Sequence, residues 1–463
     1  MGRPHVLVIP FPAQGHVIPF LELSQRLLRH GLRVTFVNTD HTQKLIINAS
    51  QGKKHLGDDP ELQLVSIPDG LESLEDRYYL GKLFESLVKV MPGKLEELVQ
   101  EMNNKEEDEK ITCVIADVHV GMVLPVAEKL KINKRAAFLS TAVAALALYH
   151  RIPKLIDDGI INKDGTATES GRMIELGANM PTITSAEVVW NFGDLITQRN
   201  FFQLIVEGTD GTQMAADYLI CNTTCDLEPE AFNLVPKILP IGPLLASNRQ
   251  GNSAGYFWPE DSTCLTWLDQ QQPRSVIYVA FGSFTVFDKI QFQELALGLE
   301  LTNRPFLWVV RQDITEDANQ AYPEGFQEKV ANRGKMVGWA PQQKVLSHPS
   351  IACFFSHCGW NSTMEGVSNG LPFLCWPYFG DQFINQSYIC DNWKVGLKFN
   401  RKDGKIITRE EIKTKVDQVL SDENFRARAS DLREMTLRSV KEGGLSDKTF
   451  KEFIEWIKTH EEE

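Results

Sequence analysis

The chain has 463 residues, 43% of them apolar and 24% charged, which is enough length and enough apolar surface for two cores rather than one. Its formal charge of −13 excludes a broad basic face of the kind that neutralises nucleic-acid phosphates or anionic lipid. Any anionic ligand must therefore be held by local groups. The eight cysteines form no CxxC pair and fall mostly in apolar runs, where cysteine packs as a small hydrophobe, so a reduced, cytoplasmic compartment is expected.

In chain order, residues 6–11 are apolar but too short for a signal peptide, and no cleavage-site pattern follows them. Short apolar runs at 5–11, 33–38, 62–67, 111–117 and 135–139 alternate with helix-like segments, the pattern of a parallel sheet covered by helices. The longest apolar stretch, 136–149, is too short to span a bilayer and contains Ser140 and Thr141, so it reads as a strand running into a buried helix. No integral membrane segment is expected. Residues 238–255 carry Pro240, Gly242, Pro243, Gly251 and Gly255, a linker composition. A second strand series follows at 275–281, 306–310, 335–337, 351–355 and 373–376.

The fold class is therefore α/β, with two doubly wound, Rossmann-like domains. The expected division is an N-terminal domain at 1–242, a linker at 243–262 and a second domain at 263–444. In the closing segment, 445–463, Phe450, Phe453, Ile454 and Ile457 recur at helical spacing and predict an amphipathic helix that packs back on the N-terminal domain.

Neither domain carries GxGxxG after its first strand, and GxxxxGK[ST] is missing, so the common dinucleotide and P-loop fingerprints fail. Ligands of open α/β sheets sit beyond the carboxyl ends of the strands, and the richest strand-to-helix turn there is Ser356-His357-Cys358-Gly359-Trp360-Asn361-Ser362-Thr363. A helix opening on such residues offers amide N–H groups and a positive dipole end to an anion without any lysine, although the same residues also serve simply to cap a helix. Glu365 lies on the first turn of that helix, where the dipole favours a carboxylate in any case. In the first domain His16 follows the first strand and Asp117 ends the fourth, at the same sheet edge. A neutral imidazole there can take a proton from a hydroxyl while the carboxylate fixes its tautomer. His119 is expected to line the acceptor side or face solvent.

Residues 339–382 resemble in full the signature box of plant UDP-glycosyltransferases, through Trp339-Ala340-Pro341-Gln342, His348-Pro349, the 357–363 turn, Glu365, Gly370-Leu371-Pro372, Trp376-Pro377 and Asp381-Gln382. The resemblance extends to Pro12-Ala13-Gln14-Gly15-His16 near the start. It implies the two-domain GT-B fold, with an N-terminal acceptor domain and a C-terminal UDP-sugar domain facing a cleft. It further implies that Trp339 stacks on uracil with Gln342 beside the base, that Glu365 binds the ribose, and that His357, Asn361, Ser362 and Ser283 bind the diphosphate. Trp360 is carried over with the same donor-binding box. Asp381, Gln382 and Thr141 would contact the hexose, and in this family a Gln at the final position accompanies glucose. His16 and Asp117 resemble the family's catalytic dyad.

The resulting expectation is an inverting, UDP-glucose-dependent transferase acting on a small apolar acceptor, monomeric, with no cofactor beyond the donor and no metal. An NAD-dependent oxidoreductase would share the sheets but require the missing glycine fingerprint. A non-catalytic sugar-nucleotide-binding protein would keep the box and lose the base. The acceptor is shaped by loops at 71–79 and 180–200, where Tyr78, Tyr79, Trp190 and Phe192 favour a phenolic, flavonoid or terpenoid aglycone.

Overall fold

A computed structural model of the protein describes residues 3–50, 61–104, 110–244, 257–316, 318–402 and 406–459. The chain divides into two compact units, Met1–Phe257 with Phe379–Asp381 and Arg438–Glu463, and Trp258–Tyr378 with Gln382–Leu437. The division differs from the expected one in moving the second boundary from 445 to 438 and in counting 379–381 with the first unit. Most of the expected linker, at 245–256, lies outside the described residues.

The first unit contains β1 (His5–Ile9), β2 (Arg33–Thr39), β3 (Leu62–Ile67), β4 (Cys113–Asp117), β5 (Lys134–Leu139), β6 (Met173–Glu175), β7 (Thr182–Thr184), β8 (Tyr218–Cys221) and β9 (Ile238–Pro240). Seven of them form one parallel sheet in the order β3-β2-β1-β4-β5-β8-β9, and β6 and β7 form a separate antiparallel pair. β1 and β4 are buried along their whole length, as strands covered on both faces must be, and this is why they read as unbroken apolar runs. β9 was read as the start of the linker; its Pro240 is tolerated because the strand lies at the sheet edge. The helix Val143–His150 is buried on almost every side, which explains the continuous apolar run leading into it. The helix Leu445–Lys458 places Phe450, Phe453, Ile454 and Ile457 in the same core cluster as Val6, Phe20 and Leu27. Lys134 anchors its end, donating to the carbonyls of Trp456 and Thr459.

The second unit holds β10 (Val276–Ala280), β11 (Phe306–Val309), β12 (Gly334–Val337), β13 (Ile351–Ser356), β14 (Phe373–Cys375) and β15 (Gly396–Lys398). They form a six-stranded parallel sheet in the order β12-β11-β10-β13-β14-β15. Its core includes Phe292, Trp308, Phe355 and Trp376. Among the described residues no helix is long and apolar enough to cross a membrane.

In both sheets the strand order reverses direction at one place, between β1 and β4 and between β10 and β13. In open α/β sheets such a reversal is where ligands bind, beyond the carboxyl ends of the strands. Sequence-predicted site residues fall at each: His16 after β1, Asp117 at the end of β4, Ser283 after β10 and His357 after β13.

Candidate active site

In the first unit, Asp117 is fully buried (0% exposed) and both of its oxygens are engaged. Oδ2 lies 2.7 Å from His16 Nδ1 and accepts from the Ser140 hydroxyl at 3.3 Å; Oδ1 accepts from the His119 amide at 2.9 Å and lies 3.0 Å from His119 Nδ1. Ser140 Oγ is also 2.9 Å from His16 Nδ1. Burial alone would push the Asp117 carboxyl up, but the His16 charge and the hydrogen bonds from His119 and His16 outweigh it and hold the group well below the usual carboxylate range. An ionised, acceptor-only carboxylate requires Nδ1–H on both rings, so the basic nitrogen of each imidazole is Nε2. His119 Nε2 is 3.2 Å from the Tyr149 hydroxyl, which donates to it. His119 is thus buried and bonded to Asp117, which excludes the solvent-facing alternative and leaves the acceptor-side one open. Among the described residues His16, Asp117 and His119 also form the one cluster with metal-ligand spacing, their ligand atoms within 4.8 Å of one another. The two ring nitrogens point at different carboxylate oxygens, which is the arrangement of two N–H donors on one carboxylate.

Aromatic rings surround the dyad. Phe11 meets His16 edge-on at 5.0 Å, and Phe84 stacks on Phe201 at 4.6 Å, with Phe192 against both. The sequence reading found Phe192 but missed Phe11, Phe84 and Phe201. It also misplaced Trp190, which is buried and donates to the Gly165 carbonyl, and Tyr78, which is largely exposed. Loops 71–79 and 180–200 do meet, through Tyr79 Oη to Asp194 at 2.8 Å. Thr141 is buried after β5, and its Oγ1 has no hydrogen-bond partner among the described residues.

In the second unit the helix Trp360–Ser368 starts directly after β13, with Gly359 at the N-cap and no side-chain cap. Asn361 and Ser362 therefore sit in the first turn rather than at the cap. The Trp360 ring is buried against Tyr388 and Trp393. His357 is wedged between two glycines: an added Cβ at Gly282 or at Gly359 would lie 2.5 Å from its Nε2. Burial pushes the His357 ring down to about 4, the Ala280 backbone opposing this and Arg311 adding to it, so the ring is neutral at pH 7. Ser283 lies in the turn begun by Gly282, whose φ of 67° is the left-handed region.

Trp339 is nearly buried and stacks on Trp258, ring centres 4.9 Å apart at 23°. Gln342 lies among Tyr278, Ser362 and Glu365: its Oε1 accepts from Tyr278 at 3.1 Å and its Nε2 donates to Ser362 at 2.9 Å and to Glu365 at 2.7 Å. Gln343 reaches the other Glu365 oxygen at 3.2 Å. Glu365 is thus a buried carboxylate aligned by two amides, a suitable acceptor for vicinal hydroxyls. Gln382 Oε1 accepts from the Tyr378 amide at 2.8 Å and closes its own turn, so a hydroxyl would meet the NH2 end. Asp381 precedes it and is half-buried. Trp258, Tyr278, Gln343 and Arg311 were not singled out from sequence; each lies outside the familiar motif or inside it without an expected role.

Paired parallel sheets with polar sites at both reversal points define a nucleotide-sugar-dependent transferase of the GT-B fold. The family model described as UDP-glucoronosyl and UDP-glucosyl transferase matches residues 258–441. UDP-glycosyltransferase 83A1 of Arabidopsis thaliana is 44% identical over 99% of this chain and 98% of its own. Two solved structures are similar. One is Os79 from O. sativa in complex with UDP, at TM-score 0.81 and 27% identity over 98% of this chain and 100% of that one. The other is Phytolacca americana UGT2 complexed with UDP-2fluoro-glucose and pterostilbene, at TM-score 0.77 and 25% identity over 98% and 99%. The chain belongs to the plant UDP-glycosyltransferases and is a glycosyltransferase enzyme.

Proposed function

We propose that the enzyme transfers glucose from UDP-glucose to a hydroxyl of a small apolar acceptor, with inversion at the anomeric carbon. The observation that carries this reading is the 2.7 Å contact of His16 Nδ1 with a fully buried Asp117. With Nδ1–H committed to the carboxylate, Nε2 takes the acceptor proton as the acceptor oxygen bonds to C1. The C1–O bond to the diphosphate breaks, and UDP leaves with the electron pair. Asp117 stabilises the imidazolium that forms.

On the donor side Trp339 stacks on uracil, Glu365 binds the ribose hydroxyls, and Ser283, His357, Asn361 and Ser362 receive the diphosphate beside the helix start, where developing negative charge meets fixed donors. Asp381, Gln382 and Thr141 contact the hexose. Glucose is supported by Gln382 and by the UDP-2fluoro-glucose of the Phytolacca structure; an apolar, aromatic acceptor is supported by the ring wall around His16 and by the pterostilbene in that same Phytolacca complex. The donor is a substrate, and this route uses no separate cofactor or metal. A cytoplasmic monomer completes the reading.

Turnover of UDP-glucose with a panel of aglycones, products identified by mass spectrometry and anomeric coupling by NMR, tests it. The expected product is a β-glucoside, with His16→Ala lowering turnover by about 10² to 10⁴ at unchanged UDP affinity. An α-glucoside, or undiminished turnover of an alcohol by the His16 variant, would overturn the mechanism.

A further inference from the structure

The chain carries a net charge of −13 and its donor motif contains no lysine at the helix start, so any positive charge beside a bound diphosphate must come from another element. Arg311, just past β11, is 1% exposed. Its Nη1 donates to the Gly282 carbonyl, its Nη2 to the Thr285 carbonyl at 2.9 Å, and its Nε to Asp313 Oδ1 at 2.9 Å. Its Cζ stands 5.7 Å from the ring centre of Trp258, the indole that stacks on Trp339. One guanidinium thus touches both the turn that carries Ser283 and the ring behind the base-stacking tryptophan. Asp313, its ionic partner, is 58% exposed, so solvent screens that pair and the buried charge is only partly neutralised.

We propose that Arg311 is the positioning cation of the donor site: it ties the 282–285 turn to the Trp258–Trp339 stack and supplies the positive potential that offsets the diphosphate. It acts through the turn and through the field rather than by gripping phosphate, because the side chain is 1% exposed and three of its five N–H groups donate to protein acceptors. The inference rests on reading the 282–283 and 357–362 segments as the diphosphate site. A guanidinium is retained in charged form even when buried, which suits it to this place better than lysine.

The test is calorimetric titration of UDP, UMP and uridine into the wild-type chain, Arg311→Met, Asp313→Ala and Trp258→Phe. Arg311→Met is expected to weaken UDP by more than about tenfold, UMP less, and uridine by under about threefold, because the lost term scales with ligand charge. Asp313→Ala, at an exposed position, should move the other way and tighten UDP relative to uridine. It keeps the test decisive should the buried substitution prevent folding. Trp258→Phe should weaken all three ligands by a common factor. Equal losses for UDP and uridine in Arg311→Met, or an unchanged UDP-to-uridine ratio in Asp313→Ala, would overturn the proposal. A wild-type chain that binds no UDP would remove the donor-site reading itself and the proposal with it.

Discussion

Gly282→Ala should damage the donor site by an amount that the backbone and the neighbouring ring together set. The residue has φ 67°, where a side chain costs about 1 to 2 kcal/mol, and the new Cβ would lie 2.5, 2.9 and 3.0 Å from three atoms of the His357 ring. Forcing a methyl into so tight a space adds about 1 to 3 kcal/mol. Together these predict a loss of about 3 kcal/mol, or roughly 6 to 12 °C in the unfolding midpoint of a unit this size. Gly359→Ala is the control: its φ of −59° suits any residue, yet its Cβ also lies 2.5 Å from His357 Nε2, so it carries the overlap without the strain. In a His357→Ala background the overlap disappears from both. Gly282→Ala should then cost only its backbone strain and Gly359→Ala almost nothing, a coupling energy of about 1 to 3 kcal/mol for each pair. Thermal melts of the two cycles decide the matter. Additive losses would show that the glycines do not clamp the imidazole.

The low proton affinity of His357 has its own signature. Its folded value of about 4 lies below the ordinary 6.5, so between those pH values the unfolded chain binds more protons and stability rises with pH. The contribution is complete above pH 6.5 and about 3 kcal/mol lower by pH 4, so His357→Gln should flatten that part of the stability profile relative to wild type, as followed by urea midpoints without UDP. Glu365→Ala removes the acceptor shared by Gln342 and Gln343 and should weaken UDP by about 1.5 to 3 kcal/mol while the acceptor constant changes little; unaltered UDP affinity in calorimetry would refute the ribose role. Gln382→His loses the carbonyl that holds the Tyr378 amide and should change donor choice by about ten- to hundredfold in a competition between UDP-glucose and UDP-galactose; an unchanged product ratio and rate would show that Gln382 does not read the sugar.

The central strands were legible because strands buried on both faces, such as β1, β4, β10 and β13, leave unbroken apolar runs. The short peripheral ones were not: β8, β9 and β15 have four, three and three residues, too few for a period, and Pro240 disguised β9 as linker. Polar candidates next to strand ends, such as His16, Asp117 and the 357–362 turn, could be named from position. The pairing of His16 with Asp117 rested on the shared sheet edge and on the resemblance; the two are 101 residues apart, and the β1–β4 adjacency is what brings them into contact. The partners of the motif side chains were not legible: the Trp360 ring packs against Tyr388 and Trp393, and Gln342 bridges Tyr278 and Glu365. Arg311 left no sequence signal, because a basic residue after a strand usually marks a solvated end; its burial comes from carbonyls of a turn some thirty positions earlier.

The return of the Leu445–Lys458 helix to the first unit has a consequence for how the chain is assembled. Val6, Phe20 and Leu27 precede the second unit along the chain, but the four apolar side chains that complete their cluster follow it. The second unit, nearly continuous from 258 to 437, has all of its own strands before that helix exists. The first unit must therefore wait with one face of its core open to water while the second is translated. Losing residues 440–463 would strip that face and leave the core cluster of the second unit whole.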